Sequence, residues 1–216
     1  MTTLKQQTDA QFAKTRQAKP GFAQEIDTLL AKARDFQEGG EAIAVGQPAP
    51  AFALPDAHGK TVALSDLLAD GPVVLMFYRG SWCPYCNLQL KAMQARVPEI
   101  RDLGAQMVAI SPQAPDGSLT KTEHDELGFT VLSDQDARVA ATYGVAWQVP
   151  ELILDHMRND RGLDLAEINN GNGSMLPIPA TFVLSRDGVV AWQYANVDYR
   201  TRAEPDEVIA ALQTLA

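Results

Sequence analysis

At residues 72–86 the chain reads Pro72-Val73-Val74-Leu75-Met76-Phe77-Tyr78-Arg79-Gly80-Ser81-Trp82-Cys83-Pro84-Tyr85-Cys86. The first half is an apolar run, rich in β-branched and aromatic residues, that predicts a buried strand. The residues after Cys86 carry an apolar stripe at helical spacing. Pro84 suits the first turn of that helix, where a missing N–H costs no hydrogen bond. The two cysteines, the only ones in the chain, are therefore predicted to lie at a strand-to-helix turn.

This position favours a reactive thiol at Cys83. Unpaired N–H groups at a helix start stabilise a thiolate, so we expect the pKa of Cys83 to lie below about 8.5. Arg79 adds a positive charge if its side chain turns toward the sulfur. Cys86 follows one helical turn later on the same face, roughly 5–6 Å away, which suits a disulfide. We therefore expect Cys83 to attack and Cys86 to resolve the adduct.

Three other interpretations of the cysteine pair compete with this one. A zinc site needs two further ligands, and no pair among His58, His124 and His156 has ligand spacing, so we expect neither a metal nor another cofactor. A purely structural disulfide is rare where thiols are kept reduced. Two inert buried cysteines are the third alternative, and the strand–turn–helix context disfavours them.

Composition limits the function classes. The 216 residues, 46% of them hydrophobic, are enough for one sizeable core with material left for an appendage. A net charge of −9 argues against nucleic acid and anionic lipid as partners. There is no apolar run at the start and no long apolar stretch elsewhere, so we expect a cytoplasmic protein without a membrane span.

The chain divides into two predicted parts. Residues 1–40 have helical patterns, with a break at Lys19-Pro20-Gly21 and an end at Gly39-Gly40, and form a predicted N-terminal extension. The second helix carries an apolar stripe that must pack against the main domain or against a second copy of the chain, as in a homodimer. Residues 45–216 alternate strands and helices, including a helix over about 116–127. This alternation predicts one α/β domain around a largely parallel sheet.

Two hairpins and one irregular segment complete the predicted domain. The hairpins are expected around residues 56–60 and 185–188. Residues 147–177 break the alternation of strands and helices and contain an Asn- and Gly-rich loop at 169–174. An insertion of this length is often a lid or a binding loop, and a solvated excursion without function is the alternative.

Three segments of the sequence resemble the alkyl hydroperoxide reductase/thiol-specific antioxidant family, and within it the peroxiredoxin-like branch. They are residues 45–50, 74–86 and 179–183, and the resemblance covers roughly residues 45–214. It implies a thioredoxin-like α/β fold, with a central mixed sheet flanked by helices, an N-terminal helical extension and an insertion near 147–177. It also implies an antioxidant thiol activity that needs no cofactor.

The resemblance also assigns supporting residues. Ser81, Trp82, Pro84 and Tyr85 belong to the motif around the cysteines, and Thr181 belongs to the later Pro-x-Thr-Phe motif.

Pro179 matches the cis-proline that packs against the cysteine pair in thioredoxin-like proteins. A cis bond there exposes the backbone of Ile178 to a partner's extended chain. An ordinary trans proline that opens an edge strand is the alternative.

The chain departs from the family pattern at two positions. Typical peroxiredoxins carry Thr or Ser three residues before the reactive cysteine, where this chain has Gly80, with Ser81 one step away. They also carry an arginine just before the later strand, where this chain has Pro179-Ala180. Thioredoxins, in turn, hold a buried acid at the position of Phe77. The chain is therefore intermediate between the two chemistries.

Other arginines can compensate for the missing one. Arg79 is the arginine nearest to the two cysteines in sequence. Arg200 and Arg202 follow the second hairpin. For Arg200 and Arg202 a surface charge is the commoner interpretation.

Three functions follow from the sequence. The first, narrowly favoured, is a thiol peroxidase that reduces hydrogen peroxide or organic hydroperoxides. Its Cys83 sulfenic acid condenses with Cys86, and a thioredoxin- or glutaredoxin-type reductant reopens the disulfide. The second is a thioredoxin- or glutaredoxin-like oxidoreductase that acts on disulfides. The third is a non-catalytic binding module that senses redox state.

Overall fold

The structure is a computed structural model that describes residues 2–37, 41–114, 127–171 and 173–215. Helices α1 to α9 span Leu4–Ala18, Pro20–Gln37, Leu64–Asp70, Pro84–Gln94, Val97–Asp102, Arg138–Thr142, Glu151–Asp155, Leu165–Asn169 and Pro205–Gln213. Strands β1 to β9 span Ala53–Pro55, Thr61–Ala63, Val73–Phe77, Gln106–Ser111, Thr130–Ser133, Ala146–Gln148, Met175–Pro177, Ala180–Leu184 and Val190–Ala195. The helix end expected at Gly39-Gly40, Asn172 of the expected loop, and residues 116–126 of the expected helix lie outside the described residues.

The central sheet has five strands in the order β5-β4-β3-β8-β9. Strands β3, β4 and β5 run parallel, whereas β8 and β9 pair antiparallel to their neighbours. The mixed sheet that the family resemblance implies is therefore present. The two predicted hairpins are also present, one between β1 and β2 and one between β8 and β9.

Strand β3 is the centre of this sheet and is fully buried. Its alternate residues point to opposite faces. Val73, Leu75 and Phe77 pack in one cluster with residues of α2 and α3. Val74 and Met76 pack in the other cluster, beneath α4, α5 and α9. The chain leaves the carboxyl end of β3 and starts α4 at Pro84, so the cysteine pair lies at the edge of the second cluster.

The two N-terminal helices pack on this domain. The carboxylate of Glu204 accepts hydrogen bonds from the first backbone N–H groups of α1, those of Leu4 at 3.2 Å and Lys5 at 2.6 Å. The break predicted at residues 19–21 is present, because α1 ends at Ala18 and α2 begins at Pro20. Among the described side chains of the apolar stripe of α2, Ile26 and Leu30 are buried in the core of the same chain, and Phe22, Leu29 and Ala33 pack against it partly buried. None of the helices in the described part of the chain is long and apolar enough to cross a membrane.

The described residues of 147–177 are a packed part of the domain rather than a solvated excursion. Strands β6 and β7 pair antiparallel at the two ends of this segment. Helix α7, a π-helical turn at His156–Asp160 and helix α8 lie between them. Ile153, Met157 and Leu165 from this segment are buried in the core. The segment therefore has a fixed surface that it can present to the cysteine site.

Candidate active site

The structure places Cys83 at the residue that precedes α4, with extended backbone dihedrals, and Pro84 in the first turn of that helix. The carbonyl of Cys83 accepts a hydrogen bond from the Asn87 N–H at 3.1 Å, which starts the helix. Both cysteines are reduced and buried, with exposed fractions of 1% for Cys83 and 0% for Cys86. The two thiols are hydrogen bonded to each other.

The surroundings of Cys83 favour its thiolate. Burial raises the pKa of Cys83, but the hydrogen bond donated by the Cys86 thiol, the positive charges of Arg79 and Arg202 and the Cys86 N–H together outweigh burial. The net effect lowers the pKa of Cys83 to about 5. These surroundings favour the thiolate of Cys83 at neutral pH, and the thiolate is the form of a cysteine that can act as a nucleophile.

The same neighbours act on Cys86 in the opposite direction. Burial raises the pKa of Cys86, and the hydrogen bond to Cys83 and the negative charge of the Cys83 thiolate raise it further. The positive charge of Arg202 opposes them without cancelling them. Cys86 therefore stays a thiol while Cys83 is ionised.

Arg79 lies beside the cysteines and is buried, with 3% of its surface exposed. Its guanidinium carbon lies 4.4 Å from the ring centroid of Tyr199 and 5.3 Å from that of Trp82, within the range of cation–π contacts. Within the described residues, Nε and Nη2 of Arg79 have no hydrogen-bond partner. Two charged donors are therefore available beside Cys83 for an oxygen-bearing ligand.

Arg202 is buried at the site, so the surface interpretation of this residue is wrong. Its Nη2 donates a hydrogen bond to Sγ of Cys86 at 3.2 Å. Its Nη1 donates to the carbonyl oxygens of Tyr199 and Thr201, both at 2.6 Å. Nothing in the local sequence distinguishes this arginine from a solvated one, because its contacts depend on how the segment after β9 folds back onto α4.

Arg200 is not a free surface charge either. It forms ion pairs with Asp27 on α2, at 2.6 Å, and with Asp198, at 2.7 Å. Its guanidinium carbon lies 4.1 Å from the ring centroid of Phe12 on α1. Arg200 therefore fixes both N-terminal helices to the segment that carries Tyr199 and Arg202.

The geometry at Gly80 explains why the usual hydroxyl is missing there. Gly80 has φ of +140°, and a Cβ at this position would overlap the indole ring of Trp82. The backbone N–H and Oγ of Ser81 donate to Oε1 of Gln113, at 2.8 and 3.0 Å. Gln113 was not expected at the site from the sequence, and it holds the turn that contains Ser81.

Tyr85 joins the site to the N-terminal extension. Its hydroxyl is hydrogen bonded to Thr15 on α1. Its ring makes an edge contact with Tyr199, with centroids 5.9 Å apart. Burial raises the pKa of Tyr85 to about 12, so its hydroxyl stays neutral.

The expectation of a cis bond before Pro179 is wrong, since no cis peptide bond occurs in the described ranges. The Ile178 backbone is not exposed either. Its N–H donates to the Val145 carbonyl at 2.8 Å, because residues 145–148 run alongside the segment that leads into β8. Thr181 lies in β8 and accepts a hydrogen bond from Gln89 of α4 at 3.4 Å. This bond connects α4 to the central sheet.

A cavity of about 360 Å³ lies against Cys83. Its walls come from α1, α2, residues 79–85, residues 151–161 and Tyr199, and most of the lining side chains are apolar. The larger apolar side chains are Phe12, Phe22, Ile26, Trp82, Ile153 and Met157. Two contacts between distant segments hold the walls together. The rings of Phe22 and His156 stack at 3.8 Å, and Nη2 of Arg161 donates to the Trp82 carbonyl at 3.1 Å.

No cluster of three or more His, Cys, Asp or Glu that could hold a metal ion occurs in the part of the chain that the structure describes.

Residues 45–193 match the AhpC/TSA family. Among curated proteins, the chain is similar to peroxiredoxin Q, chloroplastic, of Populus jackii, with 30% identity over 170 residues, 79% of this chain and 68% of that protein. It is 33% identical to peroxiredoxin Bcp of Escherichia coli K12 over 100 residues, which are 46% of this chain and 64% of that protein.

Among solved structures, peroxidoxin BcpB from Mycobacterium tuberculosis superposes with a TM-score of 0.60 at 27% identity, covering 81% of this chain and 99% of that one.

Proposed function

The chain belongs to the AhpC/TSA family and is a peroxiredoxin, and from this membership we propose that it reduces hydroperoxides at Cys83 with Cys86 as the resolving cysteine. The observation that carries the proposal is the asymmetry of the pair. The surroundings favour a thiolate at Cys83 and a thiol at Cys86, and the cavity lies on the side of Cys83.

The first step is attack of the Cys83 thiolate on the terminal oxygen of the hydroperoxide. The O–O bond breaks, Cys83 becomes a sulfenic acid, and the alkoxide or hydroxide that leaves takes up a proton. Arg79 supports this step, because its two unpartnered donors can stabilise the negative charge that develops on oxygen. Arg79 thereby compensates for the arginine that the family usually places where this chain has Pro179-Ala180.

The second step closes a disulfide between Cys83 and Cys86, and an external thioredoxin- or glutaredoxin-type reductant reopens it. Because both sulfurs are buried in the reduced protein, a protein reductant reaches the disulfide only after the turn at residues 79–86 or helix α1 moves. A small peroxide, in contrast, needs only the cavity.

The cavity lining supports organic hydroperoxides over hydrogen peroxide as substrates. An apolar body gains from burial against Phe22, Ile26 and Met157, and hydrogen peroxide has no such body. We therefore propose that residues 1–40 are an extension of a domain at 45–216 and that the extension completes a substrate site.

The disulfide oxidoreductase alternative has less support. A protein disulfide substrate would pair its extended chain with the backbone of Ile178. The backbone N–H of Ile178 that such a partner would pair with is already bonded to Val145. A non-catalytic binding module that senses redox state stays a prediction from the sequence. The cytoplasmic location also stays a prediction.

Single-turnover oxidation tests the proposed function. Reduced protein is mixed with cumene hydroperoxide, tert-butyl hydroperoxide or hydrogen peroxide, and the loss of free thiol is followed. We expect two thiols to be lost per peroxide, much faster than in free cysteine, and fastest with cumene hydroperoxide. Oxidation no faster than that of free cysteine with all three peroxides would contradict the proposal.

A further inference from the structure

The Arg202 guanidinium is fixed in place and directed at the resolving sulfur. Two backbone carbonyls, those of Tyr199 and Thr201, hold Nη1, and Nη2 reaches Sγ of Cys86 at 3.2 Å. Among the described residues, no carboxylate forms an ion pair with Arg202, so its positive charge is not neutralised. Arg79, by contrast, lies between the rings of Tyr199 and Trp82 and lines the cavity.

We propose that Arg202 is a catalytic residue of the resolving step, which holds the sulfur of Cys86 as a thiolate once Cys83 has been oxidised. This inference rests on the proposed function. It adds a timing effect, because the contact of Arg202 with Cys86, present already in the reduced protein, is outweighed until the charge on Cys83 has gone.

The timing follows from the contacts of the reduced pair. While Cys83 is a thiolate, the Cys86 proton is hydrogen bonded to it, and both this bond and the negative charge keep Cys86 protonated. Oxidation turns the Cys83 thiolate into a neutral sulfenic acid, which removes both effects. Burial still disfavours the Cys86 thiolate, whereas Arg202 at 3.2 Å still favours it. The balance at Cys86 therefore shifts toward the thiolate once Cys83 has become the sulfenic acid that this thiolate attacks.

Atoms and charges balance through the sequence. The Cys86 thiol loses its proton, which neutralises the alkoxide released from the hydroperoxide. The Cys86 thiolate then attacks the sulfur of the Cys83 sulfenic acid, the S–S bond forms, and the S–O bond breaks. Hydroxide leaves and takes a proton from solvent to become water. Two electrons pass from the two sulfurs to the peroxide, so no further oxidant is needed.

The kinetic test separates the two steps in Arg202→Gln, Arg202→Lys and Arg79→Gln. Reduced protein is mixed with excess hydroperoxide, and dimedone trapping and mass spectrometry measure sulfenic acid and disulfide over time. We expect Arg202→Gln to slow disulfide closure about tenfold or more, because a hydrogen bond to a charged group is lost, and to accumulate sulfenic acid. Arg202→Lys should restore part of the rate. Arg79→Gln should slow sulfenic acid formation but not its decay.

A second measurement does not need peroxide. Cys83→Ser places a neutral hydroxyl where the sulfenic acid would be, and the ionisation of Cys86 is then followed by its alkylation rate against pH. We expect Cys86 to ionise at a lower pH in Cys83→Ser than in Cys83→Ser combined with Arg202→Gln.

The outcomes for Arg202 and for the proposed function are distinguishable. Equal ionisation of Cys86 with and without Arg202, or disulfide closure at the wild-type rate in Arg202→Gln, would overturn the role of Arg202 and leave peroxide reduction intact. Failure of the wild-type protein to react with any hydroperoxide would instead contradict the proposed function.

Discussion

The cavity side and the core side of the cysteine pair are built from similar parts, but their surroundings shift the pKa values of the two thiols in opposite directions. Each side has one buried sulfur and one buried arginine, Cys83 with Arg79 toward the cavity and Cys86 with Arg202 toward the core. Burial raises the pKa of both thiols. The direction of the hydrogen bond between them then decides the outcome, because the donor stays protonated and the acceptor becomes the thiolate. Adjacent thiols can therefore take distinct roles without distinct degrees of burial.

Exchanging each sulfur for oxygen gives the largest predicted difference between the two sides. Cys83→Ser should lower the rate of peroxide consumption on the order of 1000-fold or more, because the nucleophile is lost. Cys86→Ser should keep the first oxidation, since a serine hydroxyl still donates to the Cys83 thiolate, but it should form no intramolecular disulfide. Stopped-flow kinetics and intact-mass spectrometry check both results. Peroxide consumption by Cys83→Ser at the wild-type rate would contradict the distinction between an attacking Cys83 and a resolving Cys86.

Removal of Arg79 tests the charge on the cavity side. Since the pKa of Cys83 is lowered to about 5, its thiolate is present above that pH, and the oxidation rate should fall only as the pH drops through that value. Arg79→Gln should move this fall to higher pH and lower the rate at neutral pH about tenfold to a hundredfold.

Arg200→Gln is the matched control for Arg79→Gln. The side chain of Arg200 is also largely shielded from solvent, with 13% of it exposed. It forms ion pairs with Asp27 and Asp198 rather than with either cysteine sulfur. The pH profile of Cys83 oxidation should stay at its wild-type position in this variant. A pH profile that moves equally in both variants would mean that general positive charge, not the position of Arg79, sets the ionisation of Cys83.

A serine at residue 80 tests whether the missing hydroxyl can be restored. Gly80→Ser should lower the free energy of unfolding by about 2 kcal/mol, because φ of +140° strains a side chain and its Cβ overlaps the Trp82 ring. We expect no gain in peroxide activity. Denaturant unfolding measures the first result and stopped-flow oxidation the second.

Gly21→Ala is the matched control for Gly80→Ser. Gly21 lies in α2, where a Cβ meets no atom within 4 Å. This substitution should raise the free energy of unfolding by up to about 1 kcal/mol, because alanine is the better helix former. A Gly80→Ser protein as stable as wild type would show that the turn can repack around a side chain.

The smallest predicted effect concerns the far wall of the cavity. Phe22→Ala should raise KM for cumene hydroperoxide roughly three- to tenfold and leave hydrogen peroxide oxidation unchanged, because only the larger substrate contacts the wall. Leu29→Ala, on the same helix but outside the cavity lining, should change neither value. An equal loss for both peroxides in Phe22→Ala would argue that α2 supports the site without contacting substrate.

The sequence is sufficient to predict the structure where interactions between neighbouring residues determine it. The apolar run of β3, Pro84 in the first turn of α4 and the spacing of the cysteines together predict the strand–turn–helix unit that the structure contains. The mixed sheet came from the family resemblance rather than from the pattern of strands and helices, which indicates parallel strands but not the order of all five.

Contacts between segments that are distant in the chain could not be predicted from the sequence. Arg202 has the sequence surroundings of a solvated residue, and only the packing of the segment after β9 brings it to Cys86. Phe22 and His156 stack although they lie 134 positions apart in the sequence. The bond before Pro179 was expected to be cis by analogy, and the strand pairing of residues 145–148 with that segment was not visible in the sequence.

Residue-resolved titration of the two thiols tests the central claim most directly. Reduced wild-type protein is alkylated with iodoacetamide from about pH 4 to about pH 10, and mass spectrometry gives the initial rate at each cysteine in molecules whose other cysteine is still unmodified. We predict that Cys83 reacts as a thiolate down to mildly acidic pH, whereas Cys86 does not ionise until well above the range of an ordinary thiol. Coincident titration curves, or a lower midpoint for Cys86 than for Cys83, would contradict the account.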